Sequence, residues 1–142
     1  MPRRAVRPKP AAVTASSPCP CGLPATYGAC CGLRHAGSPA STAQLLMRSR
    51  YSAFVVLDES YLLRTWHPST RPASLDLDPR VRWLGLDVLA TTAGGPFHTE
   101  GTVDFTARHL DGGRQESLRE HSRFVRHEGA WVYLDAAGAA TG

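Results

Sequence analysis

Four cysteines within thirteen residues, spaced Cys19-x-Cys21, then eight residues, then Cys30-Cys31, constrain this chain more than any other feature. The segment around them holds many Gly and Pro residues and few large apolar side chains, so it cannot build a core of its own. Something else must order it. Residues two apart in an extended segment point the same way, which lets Cys19 and Cys21 reach one ion together. Gly22, Pro24 and Gly28 suit a loop that returns to present Cys30 and Cys31. Four thiolates around a d¹⁰ ion give a closed tetrahedral site, the structural rather than the catalytic arrangement. In small zinc peptides such binding supplies roughly 10–16 kcal/mol at neutral pH. The competing readings are two disulfides, four free thiols or an iron–sulfur cluster. Adjacent cysteines rarely bridge each other, a cytoplasmic setting disfavours disulfides, and the tight spacing suits a single ion. The expected cofactor is one structural zinc. His35 is read as a substitute ligand, an outer support of the site or, as the preferred reading, an exposed residue.

The other sequence signals place this motif in a larger design. The chain has 142 residues, which fits one ordinary domain plus a small appendage. Its net charge of +4 is concentrated at the start, where Arg3, Arg4, Arg7 and Lys9 precede the first acidic residue, Asp58. Beyond that tail, twelve Arg face twelve Asp plus Glu, so no basic stripe for nucleic acid is required. Residues 1–17 read as a disordered basic tail, 18–37 as the cysteine knuckle and 38–137 as an α+β domain. No run reaches the roughly 18 apolar residues needed to span a bilayer. The start lacks an apolar segment of signal-peptide length, so a cytoplasmic location is expected.

From Ser41 or Thr42 as N-cap, the run to Leu57 is free of Gly and Pro and predicts a helix. Ala43, Leu46, Met47, Phe54 and Leu57 fall on one face, with Arg50 in its middle. Asp58 offers the cap for a second helix, ESYLLRTWH, closed by Pro68. After Pro79 the period drops to two: VRWLGLDVLATT, FHTEGTVDFTARHL, RQESLREHSRFVRH and AWVYLD read as four strands. The separators AGGP, DGG and EG are hairpin signals. Phe97, Thr99, Gly101, Val103, Phe105 and Ala107 alternate with polar residues, and Gly101 is a candidate bend. The fold class is therefore α+β, with helices packed on a curved antiparallel sheet.

CPCGLPATYGACC resembles the SEC-C motif, the zinc-binding knuckle at the end of the preprotein translocase motor SecA and in other bacterial proteins. MRSRYSAFVVLDESYLLRTWHPSTRP and REHSRFVRHEGAWVYLD resemble the YchJ family, which joins that knuckle to a nuclear-transport-factor-2-like domain. The likeness covers residues 18 to about 135. It implies Cys19, Cys21, Cys30 and Cys31 as metal ligands and a cone-shaped domain with a cavity. The glycine-serine-glycine that often follows the second cysteine is here Gly22-Leu23-Pro24, which alters the loop and leaves the thiol spacing intact.

The residues suggest what such a cavity would hold. Arg50 lies among apolar neighbours on its helix, where an unpaired charge is costly. Glu116, Leu118, Glu120, Ser122 and Phe124 share one face of the third strand, so Arg50 and Glu120 are expected to meet inside the cone, with Tyr51 and Ser122 nearby. Either a ligand site or a buried ion pair results, the ion pair being the preferred reading. His67 is the candidate proton-transfer residue, beside Trp66 at a helix end. His98, His109, His121 and His127 are expected at the surface, and Trp83, Trp131 and Tyr133 in packing roles. The leading functional expectation is a non-enzymatic zinc-binding adaptor that docks a protein partner through the knuckle. The alternative is a small-molecule-binding protein, or an isomerase- or hydrolase-like enzyme, using the pocket around Arg50, His67 and Glu120. Nucleic-acid binding through tail and knuckle ranks third.

Overall fold

A computed structural model describes residues 12–136 of the chain. After a one-turn 3₁₀ segment, Tyr27–Ala29, and the short helix α1, Cys31–His35, the main helix α2 spans Ala43–Val56. Thr42 caps it, its hydroxyl accepting the Leu45 N–H at 3.1 Å. Leu57 ends it in a left-handed conformation, φ 61°, its N–H returning to the Ala53 and Phe54 carbonyls. That turn carries Leu57 off the apolar face, and it stands exposed rather than in the core. Asp58 Oδ1 accepts the Tyr61 N–H at 3.0 Å and starts α3, Glu59–Arg64.

α3 stops well short of Pro68. Strand pairing takes over the next residues: the Tyr133 N–H donates to the Thr65 carbonyl, the His67 N–H donates to the Tyr133 carbonyl, both at 2.8 Å, and Trp66 bridges Tyr133 in parallel. A residue before proline prefers extended backbone, and here the sheet edge accepts that extension. Trp66 and His67 are thus attached to the sheet, not to a helix end.

The strands β1 (Arg82–Ala93), β2 (Glu100–Asp111), β3 (Arg114–His127) and β4 (Ala130–Ala136) form an antiparallel meander in sequence order. Two hairpins are tight: Gly112 and Gly113, then Glu128 and Gly129, all have positive φ, the two-residue turn that matches strand twist. Register shifts at Trp83/Gly85, Val88/Ala90 and Arg123/Phe124 curve the sheet around the helices. β2 buries Gly101, Val103, Phe105 and Ala107 in strict alternation. Gly101 packs so closely on the Gly94 backbone that a Cβ there would overlap it, and Gly94 in turn accepts the Ala43 N–H at 2.9 Å. The hairpin loop is thereby joined to the start of α2. Phe97, expected in β2, lies in that loop and is 97% exposed, because pairing begins only at Glu100.

The core sits between α2 and the concave sheet face: Leu46, Met47, Tyr51, Val103, Phe105, Phe124 and Trp131. A second cluster joins Ala53 of α2 to Tyr61 and Leu62 of α3. Burying each large side chain here contributes about 1.5–3 kcal/mol.

Candidate metal centre and cone cavity

The first cysteine pair, expected in an extended segment, lies in a tight turn closed by the Gly22 N–H to the Cys19 carbonyl at 3.2 Å; that turn and a helical turn at the second pair bring the four sulfurs together. Cys19 donates its N–H to the Ala25 carbonyl at 2.9 Å, closing the loop, and Gly22 turns it with φ 92°. Cys30 closes the 3₁₀ turn onto Tyr27 at 3.0 Å, and Cys31 opens α1. The ligand atoms of Cys19, Cys21, Cys30 and Cys31 all lie within 4.8 Å of one another, and the Cys21–Cys30 sulfur separation is 3.7 Å. Sulfurs 2.3 Å from a tetrahedral zinc are about 3.8 Å apart, so the arrangement suits one metal ion. All four cysteines are buried and none is bridged.

The electrostatics point the same way. A hydrogen bond from Cys31 pulls the Cys21 thiol well below the usual thiol range. Burial pushes Cys30 up, and hydrogen bonding to Cys21 together with burial pushes Cys31 up. Negative charge on Cys30 and Cys31 beside the Cys21 thiolate is therefore disfavoured unless a cation offsets it.

Residues 15–17, expected as the end of a disordered tail, brace the knuckle. The Ala15 carbonyl accepts the Gly28 N–H at 2.9 Å and the Ser17 carbonyl accepts the Tyr27 N–H at 2.8 Å. Residues 1–11, the basic part of that tail, lie outside the described residues.

His35, expected to be exposed, is instead the pin between knuckle and cone. Its Nε2 donates to the Ser49 carbonyl at 2.8 Å, which leaves Nδ1 to accept the Tyr27 hydroxyl at 2.6 Å. Its ring packs on Tyr61 with centroids 4.6 Å apart. Around it, Arg48 donates to the Cys21 carbonyl at 2.7 Å, Arg64 to the His35 carbonyl at 2.8 Å, and Cys19 Sγ lies 3.8 Å from the Ser52 hydroxyl. Ser49 and Tyr61 hydroxyls meet at 2.6 Å beneath it. The spacing was informative: His35 follows Cys31 by four residues, which places both on one side of a helical turn.

Between α2 and the sheet lies a cavity of about 230 Å³. Of the residues expected around it, Arg50, Tyr51, Trp66, Glu120 and Ser122 line it, joined by Trp83, Phe105 and Phe124. His67 does not. Its Nδ1 accepts from the Ser69 N–H and hydroxyl at 3.0 and 2.8 Å, and its ring meets His127 edge-on, outside the lining. Sheet pairing at Trp66 turns alternate side chains opposite ways, so Trp66 enters the cavity and His67 leaves it.

The expected ion pair is absent: among the described residues no carboxylate lies within 4.0 Å of Arg50. Arg50 Nη1 donates instead to the Leu62 carbonyl at 2.8 Å and the Thr65 hydroxyl at 2.7 Å. Its guanidinium sits 5.1 Å from the Trp66 ring centre and 4.8 Å from that of Tyr133. Burial lowers its pKa to about 10, so it remains charged at neutral pH. Burial raises Glu120, with Arg50 opposing. Aromatic rings and the C-terminal end of α3, rather than a carboxylate, hold the guanidinium. His109 also departs from its expected surface position, packing on Trp83 with centroids 5.3 Å apart and burying an Nδ1 that has no partner among the described residues.

Fold and site together define a class: a cone-shaped nuclear-transport-factor-2-like domain preceded by a four-cysteine SEC-C knuckle. Residues 42–136 match the family described as "YchJ, middle NTF2-like domain". The chain belongs to the YchJ family, also called UPF0225. A UPF0225 protein of Streptomyces avermitilis is 58% identical over 130 residues, covering 91% of this chain and 86% of its own. One from Streptomyces coelicolor is 60% identical over 119 residues, covering 83% and 93%. The solution structure of a SEC-C motif containing protein from Rhodopseudomonas palustris superposes with a TM-score of 0.72 at 34% identity, covering 83% of this chain and 95% of that one. A crystal structure of a SEC-C motif containing protein from Psychrobacter arcticus gives 0.70 at 27% identity, covering 90% and 85%. No helix among the described residues is long and apolar enough to cross a membrane.

Proposed function

We propose that this chain is a small-molecule-binding protein whose binding domain is stapled by one structural zinc ion. The observation that carries the reading is the aromatic-lined cavity with a buried, carboxylate-free arginine in its wall. The metal role rests on the closed set of four buried sulfurs, which leaves no coordination position for a substrate. Thiolate ligands in tetrahedral geometry favour zinc among the common divalent ions. His67, the candidate proton-transfer residue, lies outside the cavity lining, which leaves a binding role as the better supported one.

The adaptor reading ranks second. It draws on Leu33, 46% exposed on α1, the one large exposed apolar side chain of the knuckle. A single leucine is a small docking surface beside the cavity. Nucleic-acid binding gains little, because Arg108, Arg119 and Arg123 on the sheet pair with Asp87, Asp104 and Asp135.

Native purification followed by elemental analysis and native mass spectrometry tests the proposal. One zinc per chain and a co-purifying small molecule, lost from a cavity-filling Ser122→Phe variant, are expected. Metal-free protein from reduced preparations overturns the zinc role. Protein partners captured by the intact chain and lost with Cys30→Ser, with the cavity vacant throughout, would make the adaptor reading the better one.

A further inference from the structure

Resting on the reading of the cavity as a ligand site, we infer that its ligand is a small monocarboxylate with an apolar, aromatic body, held by the free edge of the Arg50 guanidinium. Arg50 is only 7% exposed, yet it lines the cavity and has no carboxylate partner among the described residues. Its Nη1 is occupied by Leu62 and Thr65, whereas Nε and Nη2 have no hydrogen-bond partner among the described residues. Neither of these two nitrogens is sealed off as a buried orphan, and Arg50 lines the cavity. That edge presents two parallel N–H groups, the fork that matches a planar carboxylate. The other edge is immobilised by the turn after α3, so the fork is oriented before any ligand arrives.

The sheet side of the cavity narrows the class further. Ser122, buried on β3, also lines the cavity without a hydrogen-bond partner among the described residues and offers a hydroxyl. Glu120, two residues earlier on the same face, lies in the lining too. One fixed positive charge with a carboxylate across the space favours a monoanion over a phosphate dianion. The remaining wall includes Phe54, Trp66, Trp83, Phe105 and Phe124, which suits a ring or a short apolar chain. Glu120 is a specificity element: it weakens anions with poor apolar contact, and a ligand must gain from the aromatic wall to enter.

The test uses the full zinc-loaded chain and three probes of one shape: phenylacetate, phenylacetamide and phenethylamine. Binding is read by fluorescence of Trp66 and Trp83, which line the cavity. Phenylacetate is expected to bind at least about tenfold more tightly than the amide. Arg50→Gln should remove that preference while leaving amide binding in place, and thermal unfolding checks that the variant folds. Glu120→Gln, on the half-exposed side, should tighten phenylacetate about threefold or more by removing a like charge. Equal binding of acid and amide, strongest binding of the amine, or an unchanged or weakened acid in Glu120→Gln each overturns the carboxylate assignment. In those cases the cavity remains a ligand site. Failure of all three probes at millimolar concentration overturns both readings.

Discussion

The knuckle and the cone order their backbones by opposite means. In the knuckle, four sulfurs and a handful of backbone hydrogen bonds hold a segment whose only partly buried apolar neighbours are Leu23 and Tyr27. In the cone, α2 and the sheet bury a continuous apolar cluster and still leave a cavity. Under the proposed ligation a Gly- and Pro-rich loop is tolerated, because a bound ion would fix distances that packing cannot. Packing tolerates a cavity because the surrounding strands are already tied by their ladders. The difference is one of position as well as strength: loss of the proposed ion would affect one end, whereas loss of a core ring would affect the entire cone.

The sharpest way to break the comparison is Cys31→Ser, or chelation of the intact chain. Loss of all tightly held metal is expected, together with rapid proteolysis before Ser41 and retention of the strand signal in circular dichroism. Structural zinc contributes roughly 10–16 kcal/mol to small peptides, so the knuckle should not survive without it. Concerted unfolding of the strands would show that the two regions are one unit. Next, Phe124→Ala removes a ring that is 1% exposed and should destabilise the cone by about 3–5 kcal/mol in denaturant unfolding, with metal content unchanged.

Acidity sharpens the contrast. Cys30 and Cys31 are pushed up by burial and by Cys21, so without metal both keep their protons through neutral pH. Metal binding must expel at least those two protons, and affinity therefore falls as pH falls, by about a hundredfold per pH unit or more. Metal release followed with a chromogenic chelator between pH 7.5 and 5.5 checks the slope; a flat profile contradicts it. The smallest effect concerns the pin. His35→Ala loses bonds to Tyr27 and Ser49 and should cost about 1–2 kcal/mol in thermal unfolding, while zinc content stays at the wild-type value. Loss of zinc in that variant would place His35 within the metal site rather than at the join.

Much of this was legible in the residues because it is local. Thr42 and Asp58 act as helix caps, and the GG and EG turns close hairpins, through chemistry spanning only two to four positions. The cavity lining was partly legible too, since alternation on β3 places Glu120, Ser122 and Phe124 together. What failed were expectations about individual side chains and backbone segments whose partners come from another element of the fold. Trp66 and His67 read as helix until Tyr133 claimed their backbone. Arg50 read as the partner of Glu120, yet the turn after α3 offered it carbonyl and hydroxyl oxygens closer to hand. His35 read as surface until Tyr27 and Ser49 closed on both ring nitrogens.

By itself the sequence determined the four-cysteine cluster, the order of the main helices and strands, and which strand face turns inward. Spacing, capping and period act over a few residues, whatever the rest of the chain does. The tertiary structure alone decided where the Arg50 charge is held, which of Trp66 and His67 enters the cavity, and how the knuckle is pinned to the cone. Those outcomes are competitions between partners far apart in the chain. Only when the folded backbone sets their distances does one partner win.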